Sequence, residues 1–453
     1  MIADVLLAQL GDGVVTTDPD VLAAYGSDYA PFCPTGTAAV LVRARSTDDV
    51  VTTMRAAHEA RVPVVPQGAR SGLSGGANAV DGCVLLSLER MNRILDVDAG
   101  EQLAVVQPGV VNAVLSRTVA EQGLFYPPDP ASWEFSTIGG NVATNAGGLC
   151  CVKYGVTGDA VRALEVVLAD GSLLHTGRRT AKGVAGYDLT HLFVGSEGTL
   201  GVVTEVTVAL RPAPAPSLTA AATFADVTDA CRAVNDVMAS GLRPSLLELM
   251  DAASIEVVST HRDLGFGADV GALLIMQSDV AGSELEAFAD ACRRHRSIDV
   301  VVAESPEEGE LLVEARRLIG PALEGLGLGL LVEDVCVPRR QLAPLVSGVA
   351  DIARELNVRI PVNGHAGDGN MHPVVVFDAT DVDATRRGQA AFEAILKLGL
   401  DLGGTITGEH GVGVLKRAWL ETELGAVSTR AQLAVKNALD PFGILNPGKM
   451  LPF

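Results

Sequence analysis

The chain reads Arg61-Val-Pro-Val-Val-Pro-Gln-Gly-Ala-Arg-Ser-Gly-Leu-Ser-Gly-Gly-Ala77, an apolar run that leads into a loop rich in glycine. Val62 to Val65 predicts a short β-strand. Glycine lets the backbone turn with positive φ, and its missing side chain lets main-chain N–H groups approach a ligand closely. The loop therefore suits a pyrophosphate, although a tight surface loop between two strands fits this stretch alone equally well. No G-x-G-x-x-G occurs in the chain, which argues against a nicotinamide site of the Rossmann type.

Two further glycine-rich segments strengthen the ligand interpretation. The first is Ser136-Thr-Ile-Gly-Gly-Asn-Val-Ala-Thr-Asn-Ala-Gly-Gly148, which follows Phe125-Tyr-Pro-Pro-Asp-Pro130. The second is Gly195-Ser-Glu-Gly-Thr-Leu-Gly-Val202, which leads into a β-like run. In order and spacing, the three segments resemble the FAD-binding domain of the vanillyl-alcohol oxidase superfamily, whose fold is also named after p-cresol methylhydroxylase. The resemblance implies that FAD is the cofactor.

Composition argues against several classes of protein. The 453 residues, 48% of them hydrophobic and 20% charged, can bury large cores, and this length suggests more than one domain. A net charge of −21 argues against binding to nucleic acid or to anionic lipid, and it requires a local cationic pocket for any anionic substrate. No apolar run is long enough for a transmembrane segment, and the first residues lack the basic region of a secretory signal.

The seven cysteines contain no C-x-x-C pair. We therefore expect neither a disulfide framework nor an iron–sulfur cluster, and reduced thiols in a cytoplasmic protein fit best. An electron relay beyond a flavin would have to lie on another protein.

The pattern of strands and helices changes at Arg211-Pro-Ala-Pro-Ala-Pro-Ser217, which we expect to be a linker because closely spaced prolines do not fit inside a helix or a sheet. Beyond it, the alternation of patterns predicts an antiparallel sheet with helices on one face. With the resemblance, this predicts an α+β fold of three parts. They are a two-part FAD-binding domain of the p-cresol methylhydroxylase type (residues 1–212), a substrate or cap domain (213–405), and a C-terminal segment (406–453) that returns to the flavin.

Three of the eight histidines lie in two glycine-rich motifs. Pro361-Val-Asn-Gly-His-Ala-Gly-Asp-Gly-Asn-Met-His372 predicts strand, turn and strand, which can bring both of its histidines to one side of a strand pair. Thr407-Gly-Glu-His-Gly-Val-Gly413 follows later. Two imidazoles and a carboxylate could bind Zn²⁺ or Mn²⁺ with open coordination positions, and ordinary structural roles fit the spacing equally well.

These motifs, with the closing Leu-Asn-Pro-Gly-Lys, resemble the C-terminal domain of FAD-linked oxidases. That group includes D-lactate dehydrogenases, the glycolate oxidase catalytic subunit and D-2-hydroxyglutarate dehydrogenases. The resemblance implies that His365, His372 and Glu409 hold a divalent metal, Zn or Mn. It also implies that His410 is the general base and that Arg316 binds the substrate carboxylate. A guanidinium fork suits that task, while a solvated helix face is the plain alternative for the arginine.

The same resemblance implies which residues contact FAD. We expect non-covalent binding, because residues 66 to 77 contain no histidine for covalent attachment. The expected contacts are Gln67, Gly68, Ala69, Arg70, Ser71, Gly72, Ser74, Gly75, Asp129, Thr137, Gly140, Asn141, Thr144, Asn145, Gly147, Gly148, Gly155, Glu197, Gly201, Val202 and Asn446.

Oxidation of a 2-hydroxy acid removes a proton from the hydroxyl group and a hydride from Cα. A metal can lower the pKa of the hydroxyl group, and a neutral histidine can accept its proton. Where dicarboxylate-specific relatives carry extra polar groups, this chain has Gly320, Leu331 and Val374, so a second carboxylate would be poorly paired. D-lactate or glycolate is therefore favoured as substrate, with electrons passed to an external quinone, cytochrome or flavoprotein.

Three other functions stay open at this point. One is a D-2-hydroxyglutarate dehydrogenase, which turnover of the dicarboxylate would reveal. Another is a non-redox FAD enzyme such as an alkylglycerone-phosphate synthase, and the third is a flavin-binding subunit of a larger enzyme. The intact histidine and glutamate motifs argue against the last two. A homodimer is compatible with the sequence, which does not determine the acceptor or the metal.

Overall fold

The computed structural model describes residues 1–280 and 282–452. Its α-helices are α1 (Ile2–Leu10), α2 (Pro19–Ala24), α3 (Thr47–Ala60), α4 (Asn112–Ala120), α5 (Ile138–Thr144), α6 (Cys151–Tyr154), α7 (Thr157–Ala160), α8 (Thr190–Phe193), α9 (Val227–Ala239), α10 (Ala252–His261), α11 (Gly282–Arg294), α12 (Pro306–Arg317), α13 (Ile319–Glu324), α14 (Leu342–Leu356), α15 (Val382–Asp401) and α16 (Leu420–Leu439). Short 3₁₀ helices span Arg339–Gln341 and Arg417–Trp419.

The β-strands are β1 (Val15–Thr16), β2 (Val40–Arg43), β3 (Val64–Gln67), β4 (Val84–Ser87), β5 (Ile94–Asp98), β6 (Leu103–Val106), β7 (Leu124–Phe125), β8 (Val161–Val167), β9 (Leu173–Gly177), β10 (Val202–Ala209), β11 (Arg211–Pro212), β12 (Leu218–Phe224), β13 (Leu246–Asp251), β14 (Ala272–Ser278), β15 (Ser297–Val302), β16 (Gly329–Val332), β17 (Val335–Cys336), β18 (Val362–His365) and β19 (Asn370–Phe377).

The chain forms two compact units. Unit 1 contains residues 1–148 and 155–213 and the chain from Glu409 onward, and unit 2 contains residues 149–154 and 214–408. Among the described residues, no helix combines the length and the apolar composition that a membrane crossing requires.

Unit 1 contains a four-stranded sheet in the order β1-β2-β4-β3 and a five-stranded sheet in the order β5-β6-β10-β8-β9. In the first sheet β2, β4 and β3 run parallel, and all four residues of β4 are buried, as expected for a parallel strand covered on both faces. The glycine-rich loop follows the carboxyl end of β3. The five-stranded sheet is antiparallel throughout.

Helix α3 begins with a side-chain cap. The Ser46 side chain accepts a hydrogen bond from the backbone N–H of Asp49, which satisfies one of the free donors of the first turn. The Asp49 carboxylate in turn accepts from the backbone N–H of Arg45. Capping of this kind is determined by neighbouring residues.

Unit 2 is built on one sheet in the order β15-β12-β14-β13-β18-β19-β16, with β17 also paired to β19. Every strand pair is antiparallel, as predicted. All residues of β13 before its last position are buried, so both alternating sets of its side chains lie in the protein interior.

The predicted proline linker was partly wrong. Arg211 and Pro212 pair with β7 as a short antiparallel strand of unit 1, and unit 2 resumes at Pro214. Proline is tolerated there because this is a two-stranded ladder with open edges, where a missing N–H donor costs no internal hydrogen bond.

Candidate functional site

The glycine-rich loop of unit 1 exposes unused backbone donors. The backbone N–H groups from Gly68 to Ser74 have no acceptor among the residues that the structure describes. Arg70 and Gly75 have φ values of 57° and 78°, so the backbone turns through the left-handed region twice. Successive N–H groups in such turns form a concave site for an anion.

Side chains from distant segments hold this loop from behind. Gln67 Nε2 donates to the carbonyl oxygens of Tyr25 and Ala77, both at 2.8 Å. The buried Lys449 Nζ donates to the carbonyl oxygens of Gly75 (3.1 Å) and Asn78 (2.7 Å). The carbonyl groups therefore turn toward the protein.

The second glycine-rich segment forms the start of α5. The Thr137 hydroxyl accepts from the backbone N–H of Gly140 at 3.3 Å, which caps the helix. A β-carbon added to Gly68 would meet the same hydroxyl inside van der Waals contact, so the two segments are closely packed. Both glycines keep the surface between these segments open.

The third segment places Glu197 in the interior of unit 1. Its carboxylate oxygens accept from the backbone N–H groups of Val412 (2.7 Å) and Gly413 (2.8 Å). Burial raises the pKa of this carboxyl group to about 7, against the lowering effect of the two N–H groups. Asn446 Nδ2 donates to the Glu197 carbonyl oxygen at 2.8 Å and to that of Gly76 at 2.9 Å. Glu197 and Asn446 thus join the C-terminal residues to the glycine-rich loops.

A cavity in unit 1 lies against all three segments. The predicted FAD residues that line it are Gln67, Gly68, Ala69, Arg70, Ser71, Gly72, Ser74, Thr137, Gly140, Asn141, Thr144, Glu197, Gly201 and Val202. The predicted FAD residues that are not part of the lining are Gly75, Asp129, Asn145, Gly147, Gly148, Gly155 and Asn446. Glu409 and His410 also line this cavity, although the sequence analysis assigned them to the metal and to proton transfer.

The polar groups of unit 1 fit FAD. Gln67 Oε1 and Asn446 Oδ1 are buried and have no hydrogen-bond partner among the described residues. Buried acceptors without a partner are costly, and a ligand with N–H groups would satisfy them. The unused N–H groups of the glycine-rich loop are suited to the pyrophosphate of the same ligand.

In unit 2, His365 and His372 lie on one face of the sheet. The register pairs His365 with Asn370 and His372 with Asn363 across the β18–β19 hairpin. Residues two apart on a strand point to the same face, so the two imidazoles are diagonal neighbours. Their ring centroids are 5.2 Å apart. The predicted strand, turn and strand is confirmed.

The Nδ1 atoms of both histidines face acceptors of unit 2. His365 Nδ1 lies 2.7 Å from Glu248 Oε1, and His372 Nδ1 lies 3.3 Å from the Glu333 carbonyl oxygen. A protonated Nδ1 leaves the lone pair on Nε2, which is the form that ligates a metal. Asp334 Oδ1 lies 3.7 Å from His372 Nδ1, and its other oxygen accepts from the Thr407 hydroxyl.

Arg316, the predicted carboxylate-binding residue, lies near the end of α12 and is mostly buried. Its Nε donates to Glu248 Oε2 at 2.7 Å. Its two terminal nitrogens have no acceptor among the residues that the structure describes. Burial by itself would raise the pKa of Glu248, but its interactions with His365 and Arg316 outweigh burial and lower that pKa to about 2.

The donor set of unit 2 fits a divalent metal of the zinc or manganese type. The imidazoles of His365 and His372, whose Nδ1 atoms face acceptors, are ligands that such ions accept through Nε2, and the Asp334 carboxylate lies near His372. Glu409 belongs to unit 1, where it lies beside His410, and its assignment as a metal ligand stays a prediction.

Sequence reasoning missed Glu248 and Asp334. Glu248 is the single charged residue in the apolar run Leu246-Leu-Glu-Leu-Met250, and a lone acid inside a buried strand was the available signal. Asp334 is the second residue after β16, and nothing in its sequence neighbourhood distinguished it from a turn residue.

The sequence matches two family models. Residues 38–177 match the FAD binding domain, and residues 213–450 match the FAD linked oxidases, C-terminal domain. This chain belongs to the FAD-linked oxidases. It is therefore an enzyme whose cofactor is FAD, in agreement with the open donors of the glycine-rich loop.

Curated relatives of this FAD-linked oxidase cover nearly the same length. The glycolate oxidase subunit GlcD of Bacillus subtilis is 42% identical over 414 residues, 90% of this chain and 88% of that protein. A D-lactate dehydrogenase of Anaerostipes hadrus is 36% identical over 428 residues, 91% of this chain and 89% of that protein.

Solved structures support the fold. The 4-ethylphenol oxidase of Gulosibacter chungangensis superposes with a TM-score of 0.82 over 99% of this chain and 96% of that chain, at 19% identity. This similarity confirms the fold class predicted from the sequence, which is that of p-cresol methylhydroxylase.

Proposed function

We propose that this FAD-linked oxidase converts a small D-2-hydroxy acid, D-lactate or glycolate, to the 2-oxo acid. The observation that carries the proposal is the arrangement around Glu248. One carboxylate contacts both Arg316, whose terminal nitrogens have no acceptor among the described residues, and the Nδ1 atom of His365. A carboxylate-binding group and a metal-binding group are thus connected through a single side chain, which suits a substrate with neighbouring carboxylate and hydroxyl groups.

The names of the relatives support the same substrate class. One is a glycolate oxidase subunit and another is a D-lactate dehydrogenase, and both substrates are small 2-hydroxy acids. The D configuration follows the second name, since glycolate has no stereocentre at Cα.

We assign the roles as follows. Arg316 binds the substrate carboxylate through its terminal nitrogens, since a guanidinium can hold a carboxylate by two hydrogen bonds. His365 and His372, with Glu409 as assigned from sequence, hold the divalent metal. His410 accepts the hydroxyl proton, and it lines the FAD cavity of unit 1. When bound, the metal would lower the pKa of the substrate hydroxyl, and FAD would accept the hydride from Cα.

The strand register bears on the proposed preference for a monocarboxylate. Leu331 pairs directly with Val375, so it lies on the face opposite to His372. Val332 pairs with Val374, and Val374 shares the face of His372. Both are apolar, so the histidine face still has no partner for a second carboxylate at these positions.

We also propose that the electrons pass to an external acceptor other than NAD, such as a quinone, cytochrome or flavoprotein. The FAD binds non-covalently in this proposal, because the glycine-rich loop has no histidine for covalent attachment. A cytoplasmic location, a possible homodimer and the domain limits given from sequence stay predictions.

The test is anaerobic reduction of the purified flavoprotein by candidate substrates. Reduction is measured as the loss of the visible absorption band of oxidised flavin. D-lactate and glycolate are expected to bleach the flavin, and L-lactate is expected to be slow. A chelator should suppress the reaction, and Zn²⁺ or Mn²⁺ should restore it. Faster bleaching by D-2-hydroxyglutarate would contradict the monocarboxylate assignment, and no bleaching by any hydroxy acid would contradict the proposed reaction.

His410→Ala tests the general base in the same assay. Bleaching is expected to slow by about 10²–10⁴-fold, the usual contribution of a positioned base, while FAD stays bound. His191→Ala is the matched control, because that histidine is exposed in unit 1 and bonds to the neighbouring Asp188. Near-normal bleaching in the His410 variant would remove this residue as the base.

A further inference from the structure

Glu248 is a fully buried carboxylate that neither binds the metal nor transfers a proton in the proposed reaction. The register of β13 and β18 places it directly opposite His365, on the face of the sheet that carries both histidines. Its Oε1 contacts His365 Nδ1 and its Oε2 contacts Arg316 Nε, each at 2.7 Å. The two oxygens therefore serve two different elements, β18 and α12.

Folding stability does not explain why a carboxylate occupies this buried position. Burying a charge costs free energy, and a buried ion pair commonly contributes no more than an apolar pair of the same volume. Leu246 and Met250, two residues away on the same strand, share the face of Glu248 and belong to a buried apolar cluster, so an apolar side chain would suit the local packing. A carboxylate here is therefore better explained by what it orients.

The contact with His365 selects a tautomer. The Glu248 carboxylate is paired with the Arg316 guanidinium and offers acceptor oxygens to the imidazole. In a neutral His365 the proton therefore lies on Nδ1, toward Glu248, and the lone pair lies on Nε2. The contact also keeps the imidazole from rotating and makes Nε2 a stronger donor toward a metal.

The contact with Arg316 selects an orientation of the guanidinium. With Nε bonded to Glu248, the edge formed by the two terminal nitrogens points away from this carboxylate. That edge retains the paired N–H groups that bind a carboxylate by two parallel hydrogen bonds.

We propose that Glu248 is a positioning residue that orients the metal-binding His365 and the carboxylate-binding Arg316 together, an inference that rests on the proposed function. Metal affinity and substrate affinity should then weaken together when this one carboxylate is changed. A purely structural role predicts lower stability without either effect.

The first experiment compares Zn²⁺ binding by wild type and Glu248→Gln, using the FAD-loaded protein stripped of metal. A glutamine can donate to His365 Nδ1, which would shift the imidazole proton to Nε2 and oppose ligation. We expect Zn²⁺ affinity to fall by about 10–100-fold, the usual effect of losing such a partner. Glu248→Asp retains the charge, so it should recover part of the affinity.

Asp251→Asn is the matched control. Asp251 lies on the same strand, but its carboxylate accepts from the backbone N–H groups of Ser254 (2.8 Å) and Val362 (3.0 Å). This variant is expected to lose stability and keep the Zn²⁺ affinity of wild type.

Steady-state kinetics with D-lactate or glycolate supply the second measurement. At saturating Zn²⁺, Glu248→Gln should raise KM by about tenfold or more, because Arg316 Nε loses its carboxylate acceptor. If the folded variant has unchanged Zn²⁺ affinity and unchanged KM, the positioning role of Glu248 is contradicted, while the proposed function is not. Wild-type protein that binds no divalent metal overturns the metal assignment and this inference together.

A third measurement needs no variant of Glu248. In metal-free wild type, the ¹⁵N chemical shifts of the His365 imidazole, assigned by comparison with His365→Asn, should show a protonated Nδ1 and an unprotonated Nε2. The opposite tautomer overturns the inference even if substitutions of Glu248 prevent folding.

Discussion

The two units build their sites from different parts of the chain. In unit 1, the cavity is surrounded by glycine-rich loops, and the groups offered to a ligand are mostly backbone N–H groups between Gly68 and Ser74. In unit 2, the site is made of side chains that project from paired strands, with Glu248 between His365 and Arg316.

The difference determines how each site can be damaged. A backbone-built site depends on empty space, so adding a β-carbon should be more harmful than removing a side chain. A side-chain site on a sheet depends on particular atoms, so removing one should abolish function and leave the fold intact. The predictions below test this contrast.

The largest effect is expected for His372→Ala. Removing a predicted metal ligand of unit 2 should lower kcat/KM by about 10³-fold, because the hydroxyl group loses several kcal/mol of charge stabilisation. The FAD content should stay at the wild-type value. His295→Ala, which removes a partly exposed partner of Asp236, is the control. Loss of FAD in the His372 variant would contradict the expectation that removing a side chain of unit 2 leaves FAD binding intact.

The next effect is expected for Gly413→Ala. A β-carbon there would overlap the backbone of Ser74 in the glycine-rich loop. Overpacking of this kind costs about 1–3 kcal/mol, which corresponds to a loss of FAD affinity of about 5- to 150-fold if the cost falls on the loop. The measurement is FAD binding to the flavin-free protein.

Gly82→Ala is the control for this substitution. Gly82 also has positive φ, but a β-carbon there meets nothing within 4 Å. It should therefore lose stability and bind FAD normally. Equal FAD affinity in both variants would show that the loop tolerates the added atom.

A smaller effect is expected for Arg316→Lys. Lysine keeps the charge but loses the fork and the Nε contact to Glu248, so KM should rise by about tenfold with a smaller change in kcat. Arg317→Lys is the matched control on the same helix, where the exposed arginine pairs with Glu310 at the surface. An unchanged KM in the Arg316 variant would point to another carboxylate-binding residue.

The smallest effect concerns pH and Glu197. Burial raises the pKa of this group from 4.5 to about 7, so the folded protein holds a proton that the unfolded chain has already released. Stability from this group is fully present below pH 4.5 and is lost as the pH rises through about 7. Glu197→Gln should flatten this part of the stability profile by about 1–3 kcal/mol.

The measurement is thermal unfolding of the flavin-free protein across this pH range, with the exposed Glu121→Gln as control. A profile for Glu197→Gln that runs parallel to wild type would show that Glu197 stays ionised at its two N–H donors.

Local features of both sites could be predicted from the sequence. A strand followed by small residues and glycines predicted the loop after β3, and alternation along a hairpin predicted that His365 and His372 share a face. The capped start of α3 was predictable for the same reason. In each case the residues that determine the structure lie close together in the chain.

The remaining features depend on contacts between distant segments. Glu248 lies 117 residues before His365 and 68 residues before Arg316, and only the strand order that places β13 beside β18 brings them together. Register decided that Val332, and not Leu331, lies on the face of Val374. A slip of one residue reverses the face of every side chain, and nothing in the local pattern of an apolar strand determines the register.

The sequence by itself therefore determined the cofactor-binding loops, the histidine hairpin and the family, because each is encoded by neighbouring residues. Tertiary structure alone decided which groups support them. Lys449 reaches the loop carbonyl oxygens from 374 residues away, and Glu248 joins a strand to a helix. Such partners are selected by the packing of whole elements, whose free energy is spread over the sheet and is not contained in any single motif.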